Sequence, residues 1–182
     1  MTNRQQPVMG VVGPSGSGKT TLLSDLIPIL TKRGLTVSTV KHTHHGFDVD
    51  KPGKDSYRHR EAGAKEVLLA SANRWALLHE VGAGVEPNMN DLIAKMTPVD
   101  ILLIEGFKKH DFPKIEVFRP SIGKPLLSVQ DQSVVAIATD DQNDPRLKNM
   151  HCGLLDLGNI QAIADFIVDY LGDKRNSKPL TS

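Results

Sequence analysis

Gly13-Pro14-Ser15-Gly16-Ser17-Gly18-Lys19-Thr20 fits G-x-x-x-x-G-K-[ST] at every fixed position, the pattern of a phosphate-binding loop. Its glycines let successive backbone N–H groups turn inward around an anion, and a following helix adds the positive end of its dipole at the same point. Ser15, Gly16, Ser17, Gly18, Lys19 and Thr20 are therefore candidate phosphate contacts. Lys19 supplies a mobile charge for β- and γ-phosphates, and the Thr20 hydroxyl is placed to ligate a bridging Mg²⁺.

Such a loop needs an apolar strand running in and an amphipathic helix running out. Residues 7–12, Pro-Val-Met-Gly-Val-Val, form a short apolar run suited to a buried parallel strand. Downstream, Leu22, Leu23, Leu26, Ile27 and Leu30 recur at helical spacing until Lys32-Arg33-Gly34 closes the helix. Pro28 falls inside it, where a bend is expected.

The chain has 182 residues, 39% hydrophobic and 24% charged, which fits one globular core better than two. One nucleotide-binding domain over residues 1–172 and a polar tail over residues 173–182 are expected. Net charge is +1, from 22 basic and 21 acidic residues, so nothing in the balance favours nucleic acid or anionic membrane. The single cysteine, Cys152, has no internal disulfide partner, which suits a reducing, cytoplasmic setting. No apolar run approaches the roughly 20 residues that span a bilayer, and the N-terminus lacks the pattern of a secretory signal.

Further along, Leu35 to Val40 reads as a second strand and Lys41 to Ser56 as a polar loop rich in histidine and aspartate. A short helix is expected over Asp55 to Ala62, a hairpin from Val67-Leu68-Leu69-Ala70 and Trp75-Ala76-Leu77-Leu78, and a weak helix around Asn90 to Met96. Ile101-Leu102-Leu103-Ile104-Glu105 resembles a Walker B strand. Lys114 to Phe118 alternates polar and apolar residues and reads as an edge strand. Val134 to Thr139 is another buried strand, and Ile160 to Leu171 a final amphipathic helix. The pattern predicts an α/β fold, a mostly parallel phosphate-loop NTPase sheet with helices on both faces and a few antiparallel edge strands.

In such sheets ligands sit beyond the carboxyl ends of the strands. That rule selects the phosphate loop, Lys41 and His42, Glu105, and Asp140; it rejects Asp100, which begins its strand. Glu105 is a candidate for Mg²⁺ through water, and for orienting an attacking water. An ordinary Walker B ends in aspartate, and the plain alternative is a solvated glutamate. Asp48, Asp50 and Asp55 compete for a second carboxylate role; Asp50 is preferred, as metal ligand and catalytic group beside Lys19 and Glu105. His42, His44 and His45 offer imidazoles for a transition metal, although their spacing lacks a third ligand at a recognised distance and suits nucleotide or partner contact better. No N-K-x-D sequence is present. Asp140 is the available carboxylate for guanine N1 and N2, with a turn residue as its alternative.

The segments Gly16-Ser17-Gly18-Lys19-Thr20-Thr21, Lys41-His42-Thr43-His44-His45, Asp48-Val49-Asp50-Lys51-Pro52-Gly53-Lys54-Asp55-Ser56, Arg74-Trp75-Ala76-Leu77 and Glu105-Gly106-Phe107-Lys108 together resemble the MobB family, the phosphate-loop GTPases of molybdopterin-guanine dinucleotide biosynthesis. The resemblance covers nearly the whole chain. It implies a GTP-binding accessory protein with slow, Mg²⁺-dependent hydrolysis, acting as a homodimer with a partner enzyme, molybdenum cofactor guanylyltransferase. By position it implies that Gly16 to Thr21 hold phosphate, that Thr20 and Glu105 hold Mg²⁺, and that Lys41 to Ser56 move with the nucleotide state. Molybdopterin as a direct ligand rests on the resemblance alone. Two other readings stand beside it: a small-molecule kinase, for which the aspartates between Asp48 and Asp55 are the candidate bases, and a metallochaperone GTPase using the histidines.

Overall fold

The apolar run ahead of the phosphate loop becomes β1 (Val8–Val12), and the loop hands the chain to α1 (Lys19–Lys32), which continues through Pro28. A computed structural model describes residues 6–43, 47–82 and 87–176. After α1 come β2 (Val37–Lys41), α2 (Asp55–Glu61), β3 (Glu66–Ala70), β4 (Trp75–His79), α3 (Met89–Ala94) and β5 (Ile101–Glu105), then β6 (Lys114–Phe118), β7 (Val134–Thr139), β8 (Gly153–Asp156) and α4 (Ile160–Asn176). The chain expected to form one domain groups into two compact units, one of Met1–His42 with Pro98–Ser182 and one of Thr43–Thr97.

The first unit is built on a six-stranded sheet in the order β2-β5-β1-β6-β7-β8, and every pairing in it is parallel. Parallel strands must share an end, so the carboxyl termini of β1, β2, β5, β6 and β7 collect on one side. Register places Glu105 level with both Val11 and Lys41. The antiparallel strands expected at the edges of this sheet instead form a separate two-stranded sheet, β3 with β4, in the second unit.

One face of the six-stranded sheet buries Met9, Val11, Leu103, Ile115, Val117 and Ala136 against Leu22, Leu23, Leu26 and Leu30 of α1 and Ile163, Ala164 and Ile167 of α4. Apolar burial of this kind contributes roughly 1.5–3 kcal/mol per large aliphatic side chain. Helices were expected on both faces; within this unit both long helices share one. On the opposite face Phe118 and Ile137 meet Leu126 and Leu147 from connecting segments, with Met150 and Cys152 packed alongside. Burial there pushes the Cys152 thiol up from its ordinary pKa.

The reading of Lys114–Phe118 as an edge strand is corrected by the structure. β6 lies between β1 and β7, and all five of its residues are buried. Its charged residues are tolerated because each has an internal partner. Lys114 Nζ lies 2.9 Å from Asp131 Oδ2 and also donates to Ser133 Oγ. Glu116 accepts from the backbone N–H groups of Leu127 at 2.7 Å and Ser128 at 2.9 Å. Burial alone would raise the Asp131 pKa, but hydrogen bonds from Ser133 and Lys114 outweigh it and hold the carboxyl below its ordinary value. Alternation therefore marks a solvated face only where the polar side chains have no partner elsewhere in the fold.

In the second unit, Arg60 of α2 donates to Asp48 Oδ2 at 2.8 Å and lies over the Tyr57 ring, 5.2 Å from its centroid. The β3–β4 turn closes through Ser71 N–H to the Arg74 carbonyl at 2.8 Å. Opposite each other on one face of the hairpin stand Leu68 with Leu77 and Ala70 with Trp75, and Leu68 and Trp75 are exposed. The tail expected from residue 173 begins as helix, since α4 reaches Asn176; residues 177–182 lie outside the described residues.

Candidate phosphate and metal site

The phosphate loop joins the end of β1 to α1, and its last glycine, Gly18, is the N-cap of that helix at φ 97°. No side chain caps α1, and no acidic residue sits in its first turn. A helix start normally has its first N–H groups satisfied by a cap or by solvent. Here no side chain takes them, and they lie in the positive potential of a 14-residue helix, which favours an anion. Ser17 is fully buried beneath the loop, and its hydroxyl has no hydrogen-bond partner among the described residues.

Lys19 is folded back on its own loop, with Nζ donating to the Pro14 carbonyl at 2.8 Å. Burial lowers its pKa from the ordinary lysine value, Glu105 opposes that, and Lys108 and Lys41 add to the lowering. Among the described residues the ammonium thus has one carboxylate, Glu105, and two lysines, Lys41 and Lys108, as its charged neighbours.

Glu105 ends β5 and is almost entirely buried. Its Oε1 accepts from the Thr20 hydroxyl at 2.9 Å and lies 3.5 Å from Lys41 Nζ. The two predicted metal groups of this unit, from positions far apart in sequence, therefore meet in one hydrogen bond. A hydroxyl and a carboxylate are hard oxygen donors of the kind Mg²⁺ takes together with phosphate and water, so the residues fit that ion. Asp50 belongs to the second unit, where its Oδ1 accepts from Ser56 Oγ at 2.8 Å and from the Lys51 N–H at 2.9 Å.

His42 follows β2, and its N–H donates to the Glu105 carbonyl at 3.0 Å. Its ring stacks on Phe107 with centroids 4.3 Å apart and planes at 29°. Phe107, at φ 51°, is one of the described non-glycine residues in the left-handed region, a conformation of modest cost that surrounding contacts must hold. His44 and His45, the other members of the histidine cluster, lie outside the described residues.

Asp140 stands just past β7, at the strand end the topology rule selected. Its carboxylate is paired with Arg119 Nη1, and Arg119 Nε donates to the Ser17 carbonyl of the phosphate loop at 3.0 Å. Arg119 is the site residue the sequence reading missed. It is the first residue after β6, and the same strand-end rule finds it once β6 is placed beside β1. Lys19, Lys41, Lys108 and Arg119 against Glu105 and Asp140 leave a surplus of positive charge, as a polyphosphate requires.

The family model described as "Molybdopterin guanine dinucleotide synthesis protein B" matches residues 8–140. Relatives include the molybdopterin-guanine dinucleotide biosynthesis adapter protein of Escherichia coli (strain K12), 42% identical over 168 residues that make up 91% of this chain and 93% of the relative. The corresponding adapter protein of Haemophilus influenzae is 45% identical over 172 residues, 93% of this chain and 92% of the relative. Among solved structures, a crystal structure of molybdopterin-guanine biosynthesis protein B superposes with a TM-score of 0.68 at 28% identity, covering 90% of this chain and 99% of that one. Bacillus subtilis MobB gives a TM-score of 0.71 at 24% identity, covering 90% and 96%, and speaks for the fold.

Proposed function

This chain belongs to the MobB family, and from that premise we propose that it is a GTP-binding adapter of molybdopterin-guanine dinucleotide biosynthesis, requiring Mg²⁺ and hydrolysing GTP slowly. The observation that carries the nucleotide part is the hydrogen bond from Thr20 Oγ1 to Glu105 Oε1, beside Lys19 and an uncapped helix start. It brings a phosphate loop and a strand-end carboxylate together as a magnesium–phosphate site needs. The adapter role comes from the names of its relatives, as does the choice of guanine.

In this reading Lys19 leaves the Pro14 carbonyl for the β- and γ-phosphates, while the N–H groups at the start of α1 hold the β-phosphate. Thr20 and Glu105 hold Mg²⁺, which when bound neutralises phosphate charge. Thr20 and Lys41 both face Glu105 Oε1, which leaves Oε2 for a water; the slow turnover proposed here follows the family resemblance. Asp50 belongs to the other unit, where Ser56 and Lys51 hold its Oδ1; a metal role for it stays a proposal from the sequence. A molybdenum cofactor guanylyltransferase is the proposed partner, a homodimer the proposed assembly and the cytoplasm the proposed compartment.

The test is calorimetric titration with GTP and with ATP, each with Mg²⁺, with phosphate release followed in the same samples. Tighter binding of GTP and slow release are expected; tighter binding of ATP overturns the guanine assignment. In the same assay Glu105→Gln, which keeps size and an acceptor but loses the charge, should require 10–100-fold more Mg²⁺ for half-maximal stimulation of GTP binding. GTP binding without Mg²⁺ should change less than threefold. Equal Mg²⁺ requirements in the two proteins would leave Glu105 a purely structural carboxylate.

A further inference from the structure

We propose that Arg119 is a positioning residue of the phosphate loop and that Asp140 acts through it, aiming the guanidinium rather than reading a base. This rests on the nucleotide reading above and adds a role that neither residue's place in the sequence assigns.

The argument starts from the peptide joining Ser17 to Gly18. It is trans, as every peptide among the described residues is, so the Ser17 C=O and the Gly18 N–H point in opposite directions. Arg119 Nε holds the Ser17 carbonyl at 3.0 Å. The Gly18 N–H is thereby turned away from Arg119, joining the N–H groups of the uncapped first turn of α1 that face an anion. Ser17 is fixed from its other end as well, because its side chain is fully buried.

An arginine suits this task for a geometric reason. Its planar fork offers several N–H groups in fixed relation, so one can serve a carbonyl while another serves a carboxylate. Nη1 is paired with Asp140, and Nη2 lies 3.6 Å from where a side chain on Gly18 would begin. Arg119 comes from the end of β6 and Asp140 from the end of β7, both strands of the same sheet. The pair thus references the loop to two strand ends across the sheet from Glu105. Asp140 Oδ2, one of the two oxygens that guanine N1 and N2 would share, is occupied by the guanidinium.

The experiment measures binding of GTP, GDP, ATP and inorganic pyrophosphate to the wild type and to Arg119→Ala, Arg119→Lys and Asp140→Asn. The Ser17 contact is a charge-assisted hydrogen bond, so Arg119→Ala should weaken GTP, GDP and pyrophosphate alike, by about 10- to 100-fold. Arg119→Lys, with one compact charge in place of a fork, should recover only part of that. Asp140→Asn should weaken the same ligands to a smaller extent and leave the ratio of GTP to ATP affinity unchanged.

A change below threefold in pyrophosphate affinity on Arg119→Ala overturns the proposal, as does a shift in the GTP to ATP ratio on Asp140→Asn, which would make Asp140 a base reader. Amide exchange of Gly18 in the ligand-free protein, followed by NMR, gives an arm independent of nucleotide. It should quicken in Arg119→Ala, and unchanged exchange counts against the proposal. Wild-type protein that binds neither GTP nor pyrophosphate would sink the nucleotide reading, while the exchange arm still decides what Arg119 does to the loop.

Discussion

Replacing Lys19 by alanine should lower the affinity for GTP by two to three orders of magnitude while leaving the fold intact. Among the described residues the side chain makes one hydrogen bond, to the Pro14 carbonyl, and alanine suits the first turn of a helix, so little stability is at risk. With a triphosphate the ammonium faces β- and γ-oxygens. Hydrogen bonds between charged partners contribute about 1.5–3 kcal/mol each, and two of them amount to a factor of about a hundred or more in affinity. GDP, without the γ-phosphate, should lose less than GTP. Calorimetry with both nucleotides, and thermal melting of the same preparations, checks the effect and its specificity. GTP affinity retained within tenfold would remove the phosphate-loop reading altogether.

The parts of the site legible in sequence are those whose meaning is local. The phosphate loop is a contiguous pattern with a strand before it and a helix after it, and the structure places both as read. Glu105 was legible as a strand end because four aliphatic residues precede it, and the structure places it at the carboxyl end of a buried parallel strand, the side on which such sheets take ligands. The hairpin announced itself by two apolar runs around a polar turn.

What escaped was non-local. Lys114 and Glu116 look like solvated positions until Asp131, Leu127 and Ser128, from the connection to the next strand, are seen to satisfy them. Placing that strand at an edge moved its carboxyl end away from the phosphate loop, and Arg119 went unread with it. The edge strand β8, Gly153–Asp156, is short and largely exposed, so it carried no apolar run to find. Asp50 illustrates the opposite difficulty. An aspartate in a polar loop is equally suited to a metal and to its own neighbours, and among the described contacts its neighbours hold it.

Gly13→Ala should be the most damaging single methyl in the chain, destabilising the protein by about 3–5 kcal/mol and removing phosphate binding with it. A Cβ on Gly13 would lie 2.5 Å from the Val117 carbonyl oxygen and 2.9 Å from Ser17 Oγ, at a φ of +143° that L-residues rarely adopt. The closer obstacle is backbone of β6, a strand paired to β1 on one side and β7 on the other, so no side-chain rotation relieves it. Either β6 shifts, or the loop rises off the strand and Ser17 loses its buried seat. Gly16 provides the control: its φ is +79°, but nothing lies within 4 Å of the added carbon. Gly16→Ala therefore meets only the conformational penalty, about 1–2 kcal/mol. Urea denaturation of the two variants beside the wild type separates contact from conformation. If Gly13→Ala is no more destabilising than Gly16→Ala, the loop's height above the sheet is not set by its contact with β6, and the positioning ascribed to Arg119 would then have to carry the loop alone.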